Sequence, residues 1–306
     1  MILRNIAAAA AITVLAACGS KEEPAAHEQA ESVDPVVALH ALFDEHFERE
    51  LELNPLRATF IGDNRFNARL AHSYSAEHRA AEEAMDREFL ERLLEIDRGQ
   101  LGYQDQLSYD IFRLDREESL EGNQYPTHLQ PLNQFRSMMN FFVQLGSGAS
   151  AHPFKTVEDY EDWLSRVDDF VINVDQMIAN MKEGMRQGIV QPRILMAKVV
   201  PQLESQLKDD VTQSAFYKPI SNLPEDFSDA DRDRLTAAFE DKIANAIIPA
   251  YARLNNFLGD EYLAAGRDTV GLYAVPNGEN WYAYNVRVIT TTDMTPDEIH
   301  QIGLDE

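Results

Sequence analysis

Histidine pairs are the side chains in this sequence that come nearest to a metal site, because two imidazoles four residues apart on a helix can hold one zinc ion. His40 and His46 lie on one predicted helix, but six residues at about 100° each leave them about 120° apart around its axis. The segment HEQAE, residues 27–31, has the start of a zinc motif without its second histidine. No two histidines are four residues apart, so we predict no metal ligand in this chain.

Two other kinds of catalysis also lack their sequence signatures. No G-x-S-x-G motif presents a serine nucleophile, and the single cysteine, Cys18, lies in the N-terminal segment. The 14 glycines form neither of the glycine loops that cradle phosphate groups. The adjacent carboxylates at 44–45 and 168–169 would point about 100° apart on a helix, as solvated surface residues do. The residues alone therefore predict no self-sufficient catalytic centre.

The N-terminal segment MILRNIAAAAAITVLAACGS is typical of a bacterial lipoprotein precursor. It has a positive charge at Arg4, a short apolar run, and a lipobox pattern that ends on Cys18. We predict that residues 1–17 are a signal peptide, that Cys18 carries a lipid membrane anchor, and that residues 18–33 are a flexible tether. No Asp follows the cysteine, which favours the cell envelope at the outer membrane, facing the periplasm.

The composition narrows the classes of partner. The chain has 306 residues, 44% of them hydrophobic, which is enough for a large core. Its formal net charge of -25 would repel a phosphate backbone, and no cluster of Lys or Arg offsets it, so nucleic acid is excluded as a partner. A single cysteine also excludes disulfides within the chain.

Helical periodicity dominates after Asp34-Pro35, and it predicts a mainly α fold of long amphipathic helices. The strongest pattern covers residues 156–188, where aromatic, Met and β-branched residues keep three-and-four spacing. A helix over 104–121 is predicted to turn Leu107, Ile111 and Leu114 toward the core. Further helices are predicted before Asn54-Pro55, over 75–97, after Pro192, and from Ser228 to about 257.

A change in amino-acid composition near the C-terminus predicts a small β element. The segment GLYAVPNGENWYAYNVRVITTT, residues 271–292, is rich in aromatic and β-branched residues and contains the turn signal Asn277-Gly278. Side chains from Trp281 to Thr292 alternate between more and less apolar positions, as they would on a strand with two unequal faces.

The last residues predict the start of a helix close to the end of the chain. Thr295 suits the N-cap, Pro296 suits the first helical position, and Glu298 completes a capping box. The apolar positions Ile299 and Ile302 follow, but no C-cap or partner helix comes before Glu306. We therefore expect that the sequence is truncated.

Six stretches in this order resemble the bacterial domain of unknown function 885 family. They are NPLRATFIGDNRFNARL (54–70), LQPLNQF (129–135), the helix over 156–188, IIPAYARLNNFL (247–258), the segment 271–292 and TPDEIHQIGLDE (295–306). That family is grouped with the gluzincin-type zinc peptidases, which are helical enzymes with a small sheet beside the cleft. Its zinc motif, similar to H-E-x-x-P-G-H-H, lies C-terminal of the last stretch and is absent here. The resemblance implies that residues 34–306 are the N-terminal portion of such a domain, truncated before that motif.

By the same resemblance, zinc would be a cofactor of the full-length protein, with its ligands outside this chain. Gluzincin-type enzymes align short peptides along a sheet edge, so the predicted strand would form one wall of the substrate cleft. Its candidate substrate-binding residues are Tyr282, Tyr284, Asn285, Thr290 and Thr291. The alternative for each of these, taken singly, is an ordinary cross-strand packing residue. Arg136 and Arg287 could meet a substrate carboxylate, although surface arginines commonly have no such role.

Two functions from different classes are compatible with these observations. In the first, the full-length protein is a lipid-anchored zinc metallopeptidase that hydrolyses short peptides, and this fragment alone is inactive. In the second, the chain belongs to a non-catalytic helical envelope lipoprotein that binds peptides or other proteins. A third expectation, that a complete domain ends at Glu306, would require residues 34–306 to unfold cooperatively.

Overall fold

The computed structural model describes residues 34–135 and 137–306, and its regular structure is helical. The helices are α1 (Pro35–Leu53), α2 (Pro55–Phe60), α3 (Ala76–Leu94), α4 (Tyr103–Gly122), α5 (Met138–Gly146), α6 (Val157–Gln187), α7 (Arg193–Glu204), α8 (Lys218–Ser221), α9 (Asp229–Lys242), α10 (Ile248–Phe257), α11 (Leu263–Ala265), α12 (Gly278–Thr290) and α13 (Pro296–Asp305). Short 3₁₀ turns lie between several of them. The prediction of a mainly α fold is confirmed.

Two helices begin at capping boxes, one of them at the predicted N-cap Thr295. Thr156 and Thr295 each close a capping box, with Asp159 and Glu298 as the respective acidic partners. The Glu298 carboxylate accepts from the Thr295 backbone N–H at 2.7 Å, which satisfies a donor that a helix start leaves free. Such caps locate a helix start from local sequence alone, because the interaction spans only four residues.

Helix α6 forms the centre of the main core. One face of this 31-residue helix is almost fully buried and packs against α9 and α10. The residues of that face are Tyr160, Trp163, Val167, Phe170, Val174, Met177 and Met181. The Phe142 ring of α5 stacks on Phe170 with 3.9 Å between centroids, so aromatic packing extends the core to α5.

A helical run from α9 to α11 supplies the other side of this core. Two π turns, Ile243–Ile247 and Leu258–Tyr262, separate its three α segments. Tyr262 lies in the second π turn and is fully buried, and its hydroxyl accepts from the Gln191 backbone N–H at 2.9 Å. This hydrogen bond holds the segment before α7 against the run.

Arg166 ties the loop after α2 to α6. Its side chain is fully buried and donates to the backbone oxygen of Arg69 at 3.0 Å and to Thr59 Oγ1 at 2.5 Å. It also donates to Nδ1 of the buried His152 at 2.9 Å, and His152 Nε2 lies 2.9 Å from the Asp159 carbonyl. His152 is therefore neutral and carries its proton on Nε2, because Nδ1 must accept. Burial, together with a smaller effect of the charge of Arg166, lowers the pKa of His152 to about 4.

A second, smaller core lies between α1, α3 and the first part of α4. Its buried apolar residues are Leu39, Leu42, Met85, Phe89, Leu93, Leu101 and Tyr109. Beside it, Arg116 pairs with Asp86 at 2.9 Å and donates to His46, which links the polar sides of the same three helices.

The predicted small β element is wrong, because the segment folds as helix α12. In the described residues the structure has no sheet, only an isolated bridge between Pro192 and Arg267. Asn277-Gly278 starts a helix instead of a hairpin, with Asn277 at φ 58°. A Cβ on Gly278 would lie 2.1 Å from the Leu272 carbonyl oxygen, so the close approach at this helix start requires glycine.

The predicted inward face of α4 is also wrong. Leu107, Ile111 and Leu114 are exposed, Ile111 by 68%, and the buried side chain of this helix is Tyr109 on the opposite side. Periodicity predicts that a helix has an apolar face but does not identify what covers it. Helix α13 likewise buries no residue.

None of the helices in the described part of the chain is both long and apolar enough to span a bilayer.

Candidate functional site

A groove of about 300 Å³ lies between the C-terminal half of α4 and the end of α12. We call it the α4–α12 groove. Its lining residues are Leu114, Glu117, Glu118, Glu121, Arg287, Thr291, Thr292 and Asp293. It therefore has an acidic wall on α4 and, after α12, a second wall with two threonine hydroxyls and the Asp293 carboxylate, and Arg287 also lines it.

Three contacts fix α12 against α4. The Tyr284 hydroxyl donates to the Glu118 carbonyl oxygen at 2.8 Å, and Arg287 donates to the Glu121 carboxylate at 2.5 Å. A Cβ on Gly122 would lie 2.4 Å from the Tyr284 hydroxyl, so glycine at the end of α4 leaves room for this tyrosine. Trp281 is buried nearby in the same small apolar cluster as Tyr284. The groove is thus built on two helices with specific side-chain contacts between them.

The turn at the end of α12 has an unfavourable backbone conformation. Thr291 is in the left-handed region, with φ 54° and ψ 32°, where a β-branched residue is an outlier. Its backbone N–H donates to the Arg287 carbonyl at 2.8 Å and so closes the helix. This is the position that usually carries glycine at a helix end. The strained turn directs Thr291 and Thr292 to the groove.

Charged groups set the electrostatics of the groove. Burial raises the pKa of Tyr284, and the nearby Glu118 and Glu121 raise it further, so the phenol stays protonated as a donor. The hydrogen bond from Arg287 to Glu121 raises the pKa of this arginine. Because Glu121 already pairs with Arg287, the arginine is not a free anion site. The uncompensated charge of the groove is negative, which favours a cationic or neutral polar ligand group.

The residues predicted to bind substrate have different surroundings in the structure, and not all of them line the groove. Tyr284 is committed to α4, and Thr290 Oγ1 bonds the Val286 carbonyl at 2.8 Å within the helix. Tyr282 is exposed and Asn285 is half-buried, and neither lines the groove. Thr291 does line it. The proposed alignment of a peptide along a strand edge is wrong for this segment, because its backbone hydrogen bonds are used within a helix.

Two predicted positions lie outside the described residues. Cys18, the predicted lipidation site, belongs to residues 1–33, and Arg136 is the other undescribed position. The signal peptide and the tether stay predictions for the same reason.

The described residues do not fit zinc, the cofactor that the sequence resemblance implies. No three His, Cys, Asp or Glu side chains in this part of the chain come close enough to hold a metal ion. The groove has carboxylates but no imidazole, and His40 and His46 have different partners: Asp105 at 2.9 Å and Arg116. No chemical step is therefore assigned to a metal held by these residues.

The acidic wall of the groove was missed in the sequence. Glu117, Glu118 and Glu121 belong to the segment DREESLEG, which is typical of a solvated helix face. The only local signal was Gly122, a glycine within a helical pattern, which can mark a close approach between elements. Its partner, Tyr284, lies 162 residues later, so pairing the two required the fold.

The comparison with protein families decides the relationship of this chain. The model of a bacterial protein family of unknown function, DUF885, matches residues 55–306. The chain belongs to the DUF885 family. The match starts at the first residue of α2 and includes the groove, so both walls of the groove are part of the DUF885 region.

A solved structure shares the fold of this DUF885 protein. The crystal structure of the putative lipoprotein from Colwellia psychrerythraea superimposes with a TM-score of 0.77 at 15% sequence identity. The match covers 90% of this chain and 49% of that chain, so the DUF885 chain spans about half the length of its structural relative. No curated protein matches the sequence.

Proposed function

We propose that this chain is the N-terminal half of a longer, lipid-anchored envelope protein, and that the complete protein is a zinc metallopeptidase acting on short peptides. Cys18 anchors it in the outer membrane, facing the periplasm. The zinc ligands lie outside this chain, and the chain by itself is inactive. The α4–α12 groove forms part of one wall of the peptide cleft.

The observation that carries this proposal is an apolar surface left open on the DUF885 region. Leu107, Ile111 and Leu114 run along α4, and Leu114 also lines the groove. Ile289 on α12 is 81% exposed. Large exposed apolar surfaces are uncommon in monomeric proteins and mark sites of contact. Since the chain matches 49% of the Colwellia protein's chain, a second half is the occupant that we propose for this surface.

The chemistry of the groove supports a peptide ligand. Its net acidic wall suits the amino terminus or a basic side chain of a peptide, and the Thr291 and Thr292 hydroxyls can bond peptide carbonyls. The exposed ring of Tyr282 offers an aromatic contact on the same helix. The peptide class itself comes from the resemblance to gluzincin-type enzymes.

The test is the zinc content and peptidase activity of the protein made from the complete reading frame, with this 306-residue chain as the control. We expect about one zinc ion per complete protein, hydrolysis of a short-peptide library, and neither property in the control. A complete protein that binds no zinc and cleaves no peptide would contradict the proposal. If that protein still bound peptides, the non-catalytic envelope lipoprotein would be the better account.

A pair of tyrosine variants tests the position of the cleft separately. In the complete protein, Tyr282→Ala should raise KM for peptides by about tenfold if α12 borders the cleft, because an aromatic contact is lost. Tyr103→Ala is the matched control, since Tyr103 is also exposed but stands at the far end of α4. Equal KM values in the two variants would show that α12 does not border the cleft.

A further inference from the structure

A second pocket, of about 240 Å³, has the residues of a carboxylate-binding site. It lies between the first two turns of α3, the end of α4 and the 3₁₀ turn Thr127–Leu129. We call it the Arg79–His128 pocket after its two basic residues. It shares no lining residue with the α4–α12 groove.

Arg79 is one of a minority of arginines in the described residues that have no carboxylate partner, as are Arg69, Arg232 and Arg267. Most arginines in the described residues lie within 4.0 Å of a carboxylate, as Arg87 does with Glu83 at 2.7 Å. The Arg79 guanidinium instead donates through Nη1 to the carbonyl oxygens of Tyr74 and Ser75, at 3.0 and 3.1 Å. These two bonds fix the guanidinium and leave Nε and Nη2 as donors. A fixed arginine without a carboxylate partner is a typical anion ligand.

His128 stands beside Arg79 and makes no side-chain hydrogen bond with the described residues. The ring is half-buried, and burial lowers its pKa, with the charge of Arg79 acting in the same direction. The Asn123 amide and the Thr127 hydroxyl line the same pocket and add uncharged donors. Two small side chains, Ala76 and Ala80, leave the space open.

We propose that the Arg79–His128 pocket binds a carboxylate group. One fixed cation, a neutral imidazole and uncharged donors match a single negative charge better than the double charge of a phosphate. Glu83, at the edge of the pocket, also opposes a dianion. The carboxylate can belong to a free small acid or to the C-terminus of a peptide, and the two sources share this chemistry.

Titration of the full chain with three probes tests the proposal. The probes are acetate, N-acetyl-Ala-Ala with a free carboxylate, and the C-terminal amide of that dipeptide. We expect a saturable shift of the His128 ring resonances in NMR spectra with the first two probes and no shift with the amide. A tighter fit for the dipeptide acid assigns a peptide C-terminus, whereas equal affinities assign a small free acid.

Variants test whether acetate binds in the Arg79–His128 pocket. Arg79→Gln should weaken acetate binding by about tenfold, and Arg98→Gln, which removes a positive charge from an exposed pair with Asp110, should leave it unchanged. Because Arg79 also holds the start of α3, His128→Gln serves as a second variant that breaks no hydrogen bond in the described structure. Its acetate binding, followed by calorimetry because the His128 resonances are removed, should be weaker as well.

The pH dependence gives an independent readout. A bound carboxylate favours the charged imidazole, so acetate should raise the pKa of His128 and bind more tightly as the pH falls toward that pKa. The other ionisable side chains that line the pocket are Arg79, Glu83 and Tyr125. The proposal is overturned if no probe shifts His128, if the amide binds as well as the acid, or if both variants bind acetate like the parent protein.

Discussion

Among the described residues, Thr291 is the one whose backbone is least suited to its side chain. A β-branched residue in the left-handed region costs about 1–2 kcal/mol, and glycine avoids this cost while adding about 0.4–1 kcal/mol of unfolded-state entropy. We therefore expect Thr291→Gly to stabilise the protein by about 1 kcal/mol in urea unfolding.

Thr292→Gly is the matched control for this prediction. Thr292 follows directly in the chain and does not have a positive φ, so glycine should lower stability there. If the two variants changed the free energy of unfolding equally, the left-handed strain at Thr291 would have no energetic consequence. Thr291→Gly should also weaken peptide binding if the strained turn positions groove residues.

His152 predicts a pH dependence of stability. Its folded pKa of about 4 lies below the ordinary value of 6.5. The stabilisation is therefore complete above about pH 6.5, where both states are neutral, and is lost as the pH falls toward about 4, because the unfolded state takes up the proton first. The expected loss is about 3 kcal/mol, at 1.36 kcal/mol per pKa unit.

The difference in unfolding free energy between the parent protein and His152→Asn isolates this contribution. Asparagine keeps an acceptor for Arg166 but does not titrate. His46, whose pKa is also lowered to about 4, is present in both proteins and cancels. The difference should shrink from pH 7 to pH 4, and a difference that is constant with pH would show that His152 is not held neutral.

At the scale of elements, Tyr284 attaches α12 to α4. Tyr284→Phe removes the hydrogen bond to the Glu118 carbonyl, so we expect a loss of about 1 kcal/mol in unfolding free energy. Tyr282→Phe, on the exposed side of the same helix, should change stability by less than about 0.5 kcal/mol. Hydrogen exchange should locate the change in α12, and an equal effect of both variants would contradict this docking.

The elements that could be predicted from sequence are those fixed by local interactions. The capping box at Thr156 and the long apolar stripe of α6 agree with each other, and the structure confirms that helix. The prediction of a β element in residues 271–292 was wrong because aromatic and β-branched residues favour strands only when neighbouring strands cover them. Here Trp281 and Tyr284, three residues apart, share a helix face that packs near Tyr125.

The candidate site could be predicted only in part. Thr291 and Arg287 were named from sequence and do line the groove. The residues of its opposite wall, such as Glu118, carry no local signal, because an acidic residue on a helix is ordinarily solvated. The fold brings these walls together through a tyrosine that reaches a glycine far away in the chain, and no periodicity encodes that pairing.

At the scale of the whole molecule, some helices have a buried apolar face and others have an exposed one. The main core around α6 is closed, whereas α4 keeps an open apolar stripe and α12 and α13 bury few residues. A chain that matches 49% of its structural relative would have this distribution if the second half covered the open faces. That coverage is the central claim of the proposed function.

Hydrogen exchange tests that claim most directly, by comparing this chain with the protein made from the complete reading frame. We predict that exchange in α12, α13 and the α4 stretch from Leu107 to Leu114 slows by about tenfold or more in the complete protein, while α6 is unchanged because its core is already closed. Equal exchange of these segments in both proteins would contradict the account.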